Sequence, residues 1–193
     1  MGDPKFPRKK YETPSHPWEA ERIERERDLM HKYGLKNKKE VWKAETFLRN
    51  IRGHARELFV GVEEAQTKKE KEELLQRMTS MGILPPNSAL DDILALTIEN
   101  ILARRLQTQV YLHGMAYTPK QARQLITHGH IMVNGRRVRV PSYMVRTAEE
   151  DTIQYAEASP LADDVHPMRP SVEETKEQRM ALHKQDEGEG EEA

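Results

Sequence analysis

Apolar positions recur at helical spacing over the first two thirds of this chain and give way to strand-like alternation near residue 131. The first helical pattern covers residues 17–33 and stops at Gly34. Its charged positions (Glu19, Glu21, Arg22, Glu24, Arg25, Glu26, Arg27, Asp28) offer i,i+4 pairs such as Glu21–Arg25 and read as a solvated face. The second covers residues 39–59, where Val41, Trp42, Phe47, Leu48 and Ile51 supply a buried side and Arg49, Arg52 and Arg56 recur on another. A third spans residues 67–81, with Leu74, Leu75, Met78 and Met81 inward and Gly82 closing it. Pro85-Pro86-Asn87-Ser88 breaks the chain. Asp91 and Asp92 then open an apolar segment. Paired carboxylates can do acid–base work, but in the first turn of a helix they simply suit the dipole. Thr97 is placed to cap a predicted helix over residues 98–113, with Ile98, Ile101, Leu102, Leu106 and Val110 as its inner stripe and Gly114 as its end.

The grammar then becomes tighter. Thr118-Pro119-Lys120-Gln121 is a capping box with proline at the first helical position, and its hydroxyl and amide can each satisfy an orphan backbone N–H. The helix it opens buries Ala122, Leu125 and Ile126, carries Lys120, Arg123, Gln124 and His128 on or near the other face, and stops at Gly129. Residues 131–133 and 136–140 flank Asn134-Gly135, the strongest short hairpin signal. On the second strand Val138 and Val140 alternate with Arg137 and Arg139, so one face packs and the other points bases outward. A further short strand is predicted over residues 152–155, after an acidic turn at 149–151.

Charge changes the picture more than composition does. With 31 basic and 32 acidic side chains in 193 residues, the net charge of −1 would argue against a polyanionic partner. The distribution argues for one. Residues 1–60 carry a net +5, 61–101 a net −4, and 148–193 a net −10. Residues 102–147 carry eight bases (Arg104, Arg105, Lys120, Arg123, Arg136, Arg137, Arg139, Arg146) and no acid. A one-signed segment inside a near-neutral chain is the footprint of a nucleic-acid site. The candidate contacts are Arg104, Arg105, Lys120, Arg123, Arg136, Arg137 and Arg139 together with Thr108, Thr118, Gln121, Gln124, His128 and His130, while Lys5, Arg8, Lys9, Lys10, Arg49, Arg52 and Arg56 form a second candidate set on an arm and a helix. Pro4, Pro7 and Pro14 keep that arm extended.

The rest is exclusion. Cysteine is absent, so disulfides and thiolate zinc sites are ruled out, and His128 and His130 lack a carboxylate partner for a metal. No apolar run approaches the ~20 residues that span a bilayer, and the start lacks a signal-peptide core. No phosphate-binding loop, nucleophile elbow or dinucleotide fingerprint occurs, so no enzyme, cofactor or small-molecule substrate is expected.

ArgArgLeuGlnThr at 104–108, AlaArgGlnLeuIle at 122–126, HisGlyHisIle at 128–131, ValAsnGly at 133–135 and ProSerTyr at 141–143 together resemble the RNA-binding domain of the small-subunit ribosomal protein S-four family. Pro17-Trp18 and LeuThrIleGluAsnIleLeu at 96–102 are similar to its archaeal and eukaryotic branch, and the resemblance runs over roughly residues 1–165. It implies a primary binder of 16S-type rRNA that nucleates subunit assembly, sits near the mRNA entrance beside the S-five protein, influences decoding accuracy and resides in the cytoplasm. The expected fold is α+β: a helical domain and a small RNA-binding domain of two helices on a short antiparallel sheet, with an extended N-terminal arm and an acidic C-terminal tail.

The expected divisions are 1–40 (arm and first helix), 41–102 (helical domain), 103–156 (RNA-binding domain) and 157–193 (acidic extension), with the segment after Tyr155 folding back onto the helical part. The alternative is a free-standing RNA-binding heat-shock or rescue factor, which would lack the region from Trp18 to Ile101. A pseudouridine synthase or a tyrosyl-tRNA synthetase would need a catalytic domain for which there is no room.

Overall fold

The computed structural model describes residues 8–60, 65–163 and 166–170. Residues 1–7 of the expected arm, Lys5 among them, and the acidic tail from residue 171 lie outside that set. The described residues group into two compact units: one formed by those up to Thr79 with Ile83–Leu102, the other by Ser80–Gly82 with those from Ala103 onward.

The first unit carries α1 (Ala20–Lys32), α2 (Lys38–Val60), α3 (Ala65–Ser80), α4 (Leu90–Ala95) and α5 (Ile98–Ala103). Val41, Ala44, Leu48, Ile51, Ala55 and Leu58 give α2 a fully buried stripe at three- and four-residue steps. That stripe packs on α1 and α4. Leu74 and Met78 are the buried positions of α3. Asp92 accepts from the Ala89 N–H at 2.7 Å, the role in helix starting that the sequence assigned to this pair of acids. α1 begins three residues later than its pattern, because the carbonyls of His16 and Pro17 accept from the Arg22 guanidinium (2.8 and 2.9 Å) instead of starting a helical ladder.

Two expectations are corrected in and beside this unit. The charged run of α1 is not all solvated: Glu26 is only 2% exposed. It accepts from Arg22 at 2.5 Å and from the Trp42 indole N–H at 2.9 Å, and Lys38 Nζ stands 3.1 Å away. The long helix over 98–113 is also broken. α5 ends at Ala103, Arg105 takes an extended backbone (φ −71°, ψ 142°), and α6 (Leu106–Leu112) restarts after it. The reason is that residues 104–106 pair with another segment instead of with their own turn. The Val145 N–H donates to Arg104 O (3.0 Å) and the Leu106 N–H donates to Tyr143 O (2.7 Å). The predicted stripe is therefore divided, with Ile101 and Leu102 in the first unit and Leu106 and Val110 in the second.

The second unit adds α7 (Pro119–His128), β1 (Ile131–Val133), β2 (Arg136–Arg137), α8 (Thr147–Glu150) and β3 (Gln154–Tyr155), followed by a 3-10 turn at Pro160–Ala162. The sheet is antiparallel in the order β2-β1-β3, with Met132 opposite Arg137 and Gln154. Asn134 (φ 50°) and Gly135 (φ 71°) turn the hairpin in the left-handed region, as that dipeptide predicts. Leu106, Val110, Ala122, Leu125 and Ile126 from α6 and α7 join Ile131, Val133 and Ile153 in one core, giving the α+β module of two helices on a short sheet. β2 is shorter than expected. The Val138 N–H still reaches Ile131 O at 3.2 Å, but Val140 opens a turn to Tyr143 before Pro141 and is 54% exposed instead of packed. The described residues after Tyr155 belong to the second unit and not, as expected, to the helical one. The Ala156 N–H donates to His130 O at 2.8 Å, Leu161 enters the second unit's core, and Tyr117 Oη donates to Arg169 O at 3.1 Å. Leu161 supplies the apolar anchor that decides this.

Candidate nucleic-acid interface

α7 is the element that fixes the basic face, and its ends are built as its sequence implies. Thr118 Oγ1 accepts from the Gln121 N–H at 3.1 Å, and Gln121 Oε1 accepts from the Tyr117 N–H at 2.7 Å, so the cap satisfies two donors. Gly129 closes the helix at φ +82°. With Ala122, Leu125 and Ile126 buried, Lys120, Gln124 and His128 follow one another on the exposed side at one-turn intervals.

The hairpin continues this line. A Cβ at Gly129 would lie 3.0 Å from Arg137 Cδ and 3.0 Å from Arg139 Nε, so both arginine side chains cross the end of α7. Arg136, Arg137 and Arg139 are exposed. Lys120, Gln124, His128, Arg137 and Arg139 thus form a strip of cations and hydrogen-bonding groups. A guanidinium bonds phosphate through a fork of donors, whereas the Lys120 ammonium acts as a compact charge.

Several candidate residues are employed inside the fold. Arg105 (7% exposed) and Thr108 (8%) are buried, which corrects the expectation that the cations around the helix break all point outward. Arg104 donates to Glu150 at 3.0 Å and to Val145 O at 3.3 Å. Gln121 also donates to Met168 O at 3.3 Å. Arg123 is half-buried and donates to Gln107 Oε1 at 3.3 Å, while fully buried Gln107 donates to Pro119 O at 2.8 Å. Gln107 and Arg123 thus brace the start of α7, while Arg104 ties the helix break to residues 145 and 150, contacts that periodicity did not show.

His130 is half-buried, with Nδ1 2.8 Å from Ser159 Oγ. Burial, with the neighbouring His128 and Arg137 charges, holds its pKa below the usual histidine value, so it is a neutral hydrogen-bonding group near pH 7. Among the described residues no group of three His, Asp or Glu side chains is arranged to hold a metal ion. No helix among them is long and apolar enough to cross a membrane.

The second candidate set lies in the first unit. Arg8, Lys9 and Lys10 are exposed, and Lys9 Nζ stands 4.8 Å above the Tyr11 ring. Arg49 pairs with Glu12, Arg52 donates to Leu96 O, and Arg56 is exposed. These three arginines line a cleft of about 630 Å³ together with Arg22 and Arg25. Glu45 also lines it, and burial followed by the Glu26 charge raises its pKa. Arg22 and Arg25 were hidden from sequence reading within a run of alternating charge. Arg146, exposed at the edge of the second unit, was visible only as a member of the acid-free run.

The S4 domain family model matches residues 104–153, the segment that builds the core and strip of the second unit. The chain is 50% identical to the small ribosomal subunit protein uS4 of Thermoplasma acidophilum over 194 residues, covering 100% of the chain and 97% of that protein. It is 51% identical to that of Picrophilus torridus over 92% of the chain and 98% of the relative. With that of Methanococcus aeolicus the figures are 53%, 88% and 96%. Identity at this level along both units, with the module's hairpin, cap and core in place, means that the chain belongs to the uS4 family of small ribosomal subunit proteins.

Proposed function

We infer that this chain is a structural, non-enzymatic constituent of the cytoplasmic small ribosomal subunit. In it the chain binds 16S rRNA directly, nucleates assembly of the subunit body, and contributes to decoding accuracy near the mRNA entrance beside the S-five protein. The observation that carries the RNA reading is the acid-free strip along α7 and the hairpin, since phosphates are attracted by just such a rigid, one-signed surface. In this reading Lys120, Gln124, His128, Arg136, Arg137 and Arg139 touch RNA. Arg104, Arg105, Thr108, Gln121 and Arg123 hold the platform, and His130 fixes its edge through Ser159. Arg8, Lys9, Lys10, Arg49 and Arg56 supply further phosphate contacts from the helical unit. Residues 103–156 are the RNA-binding part, residues 41–102 its helical companion, and residues 1–40 and 157–193 the flanking arm and extension.

Salt-stepped sedimentation of a cell extract tests this. The native chain is expected to travel with the small subunit through moderate salt, and Lys120→Ala/Arg137→Ala/Arg139→Ala to be released early. Native protein that leaves the subunit at low salt, or travels with the large subunit, would overturn the reading.

A further inference from the structure

Trp18 is 91% exposed, the most exposed large apolar side chain among the described residues. Burying an indole is one of the largest gains available to a chain, so a fully exposed tryptophan on a rigid turn is a ready contact for a partner. The turn that carries it is firmly held. Arg22 Nη2 donates to the carbonyls of both His16 (2.8 Å) and Pro17 (2.9 Å), and Arg22 Nη1 donates to the buried Glu26 at 2.5 Å. Glu26 in turn accepts from Trp42 at 2.9 Å. A buried carboxylate thus anchors an arginine that anchors the turn, and the indole is displayed at its tip.

The surroundings select the partner. Residues 15–17 and 19–21 beside Trp18 are all exposed, and the only sizeable apolar surface among them is the ring of Pro17. An apolar pocket on another protein would find little else to bury there. Glu19 and Glu21 flank the indole, but Arg22, which holds the turn, also lines the arginine-rich cleft with Arg25, Arg49, Arg52 and Arg56. An isolated, pre-positioned aromatic on a turn whose arginine leads into a cationic cleft is an arrangement that accepts an unpaired base by stacking while the cleft takes its phosphates. We propose that Trp18 stacks on an unpaired nucleobase of the RNA this chain binds, a contact outside the S4-type module. This rests on the RNA reading above.

The test uses the full chain and a full-length small-subunit rRNA transcript. Trp18 and Trp42 are the chain's two tryptophans, so Trp18→Phe leaves Trp42 as the sole emitter. RNA is expected to quench the native chain's indole emission and to leave that of Trp18→Phe nearly unchanged. Trp18→Ala should melt like the native chain, bind about tenfold more weakly, and keep the native salt slope, because stacking releases no counterions. Native affinity in Trp18→Ala with no Trp18-dependent quenching would overturn the stacking while leaving the RNA reading intact. Native RNA affinity in Trp18→Ala with impaired entry into the subunit would overturn it in favour of a protein pocket. Failure of the native chain to bind the transcript would overturn both.

Discussion

Arg104 and Glu150, 46 positions apart, meet at 3.0 Å and pin the start of the second unit to α8. The same guanidinium covers Gly82, whose missing Cβ would fall 2.7 Å from Arg104 Cζ. Gly82 also sits at φ +65°, where a side chain costs about 1–2 kcal/mol. Gly82→Ala is therefore expected to destabilise through both effects. Arg104→Ala removes a mostly buried charge partner and should cost about 1–3 kcal/mol. Denaturant titration of each single variant and of the pair checks this. The double variant should lose less than the sum, because alanine at position 104 relieves the crowding.

Exposed and buried bases should separate by their salt dependence. Lys120→Ala, Arg137→Ala and Arg139→Ala should each reduce the slope of log affinity against log salt by about 0.7–0.9, since each variant leaves one phosphate with its counterion. Arg105→Ala should instead lower the melting temperature and leave the slope of the folded fraction unchanged, since its side chain is buried. Filter binding of rRNA across a salt series, paired with thermal melts, distinguishes the two classes.

Glu26 predicts a pH dependence. Burial pushes its pKa up, but hydrogen bonds from Trp42, Lys38 and Arg22 outweigh this and hold it below the ordinary 4.5. A lowered carboxylate pKa means that the unfolded chain takes up its proton first. The stabilisation is thus fully present above about pH 4.5 and is lost as pH falls through the lower folded value. Glu26→Gln should cost about 2 kcal/mol near pH 7, and its deficit against the native chain should shrink on acidification. Melts from pH 7 down to 3 provide the check, and a deficit independent of pH would contradict the assignment.

His130 works in the neighbouring window. Its folded pKa lies below the ordinary 6.5 through burial, His128 and Arg137, so the unfolded chain binds the proton more tightly. Stability from the neutral ring is present above about pH 6.5 and declines as pH falls towards the folded value. Proton-detected titration of the imidazole should give a midpoint below the ordinary 6.5, and His130→Gln should flatten the stability profile between pH 6.5 and 5.

Thr118→Ala removes the hydroxyl that accepts from Gln121 N–H and should cost about 1 kcal/mol. Thr118→Ser should restore most of it. Thermal melts of the two variants decide whether the cap, and not the methyl group, carries the effect.

Local chemistry made much of this protein legible from its residues alone. The cap at Thr118, the stop at Gly129, the Asn134-Gly135 turn and the buried stripes of α2 and α7 depend on neighbours within a few positions, so spacing reveals them. The acid-free run was equally visible, since charge is counted without a fold.

What tertiary structure decided was which polar groups face water. Arg104 and Arg105 look like exposed cations on an unbroken helix. In the fold, backbone bonds from residues 143–145 interrupt that helix and draw both side chains inward. Glu26 sits in a run indistinguishable from a solvated face until Trp42 and Lys38 close over it from α2. Val140 alternates correctly for burial yet lies open, because strand pairing ends before it. Periodicity specifies a face for each element, but only partners distant in sequence determine whether that face meets core, counter-ion or solvent.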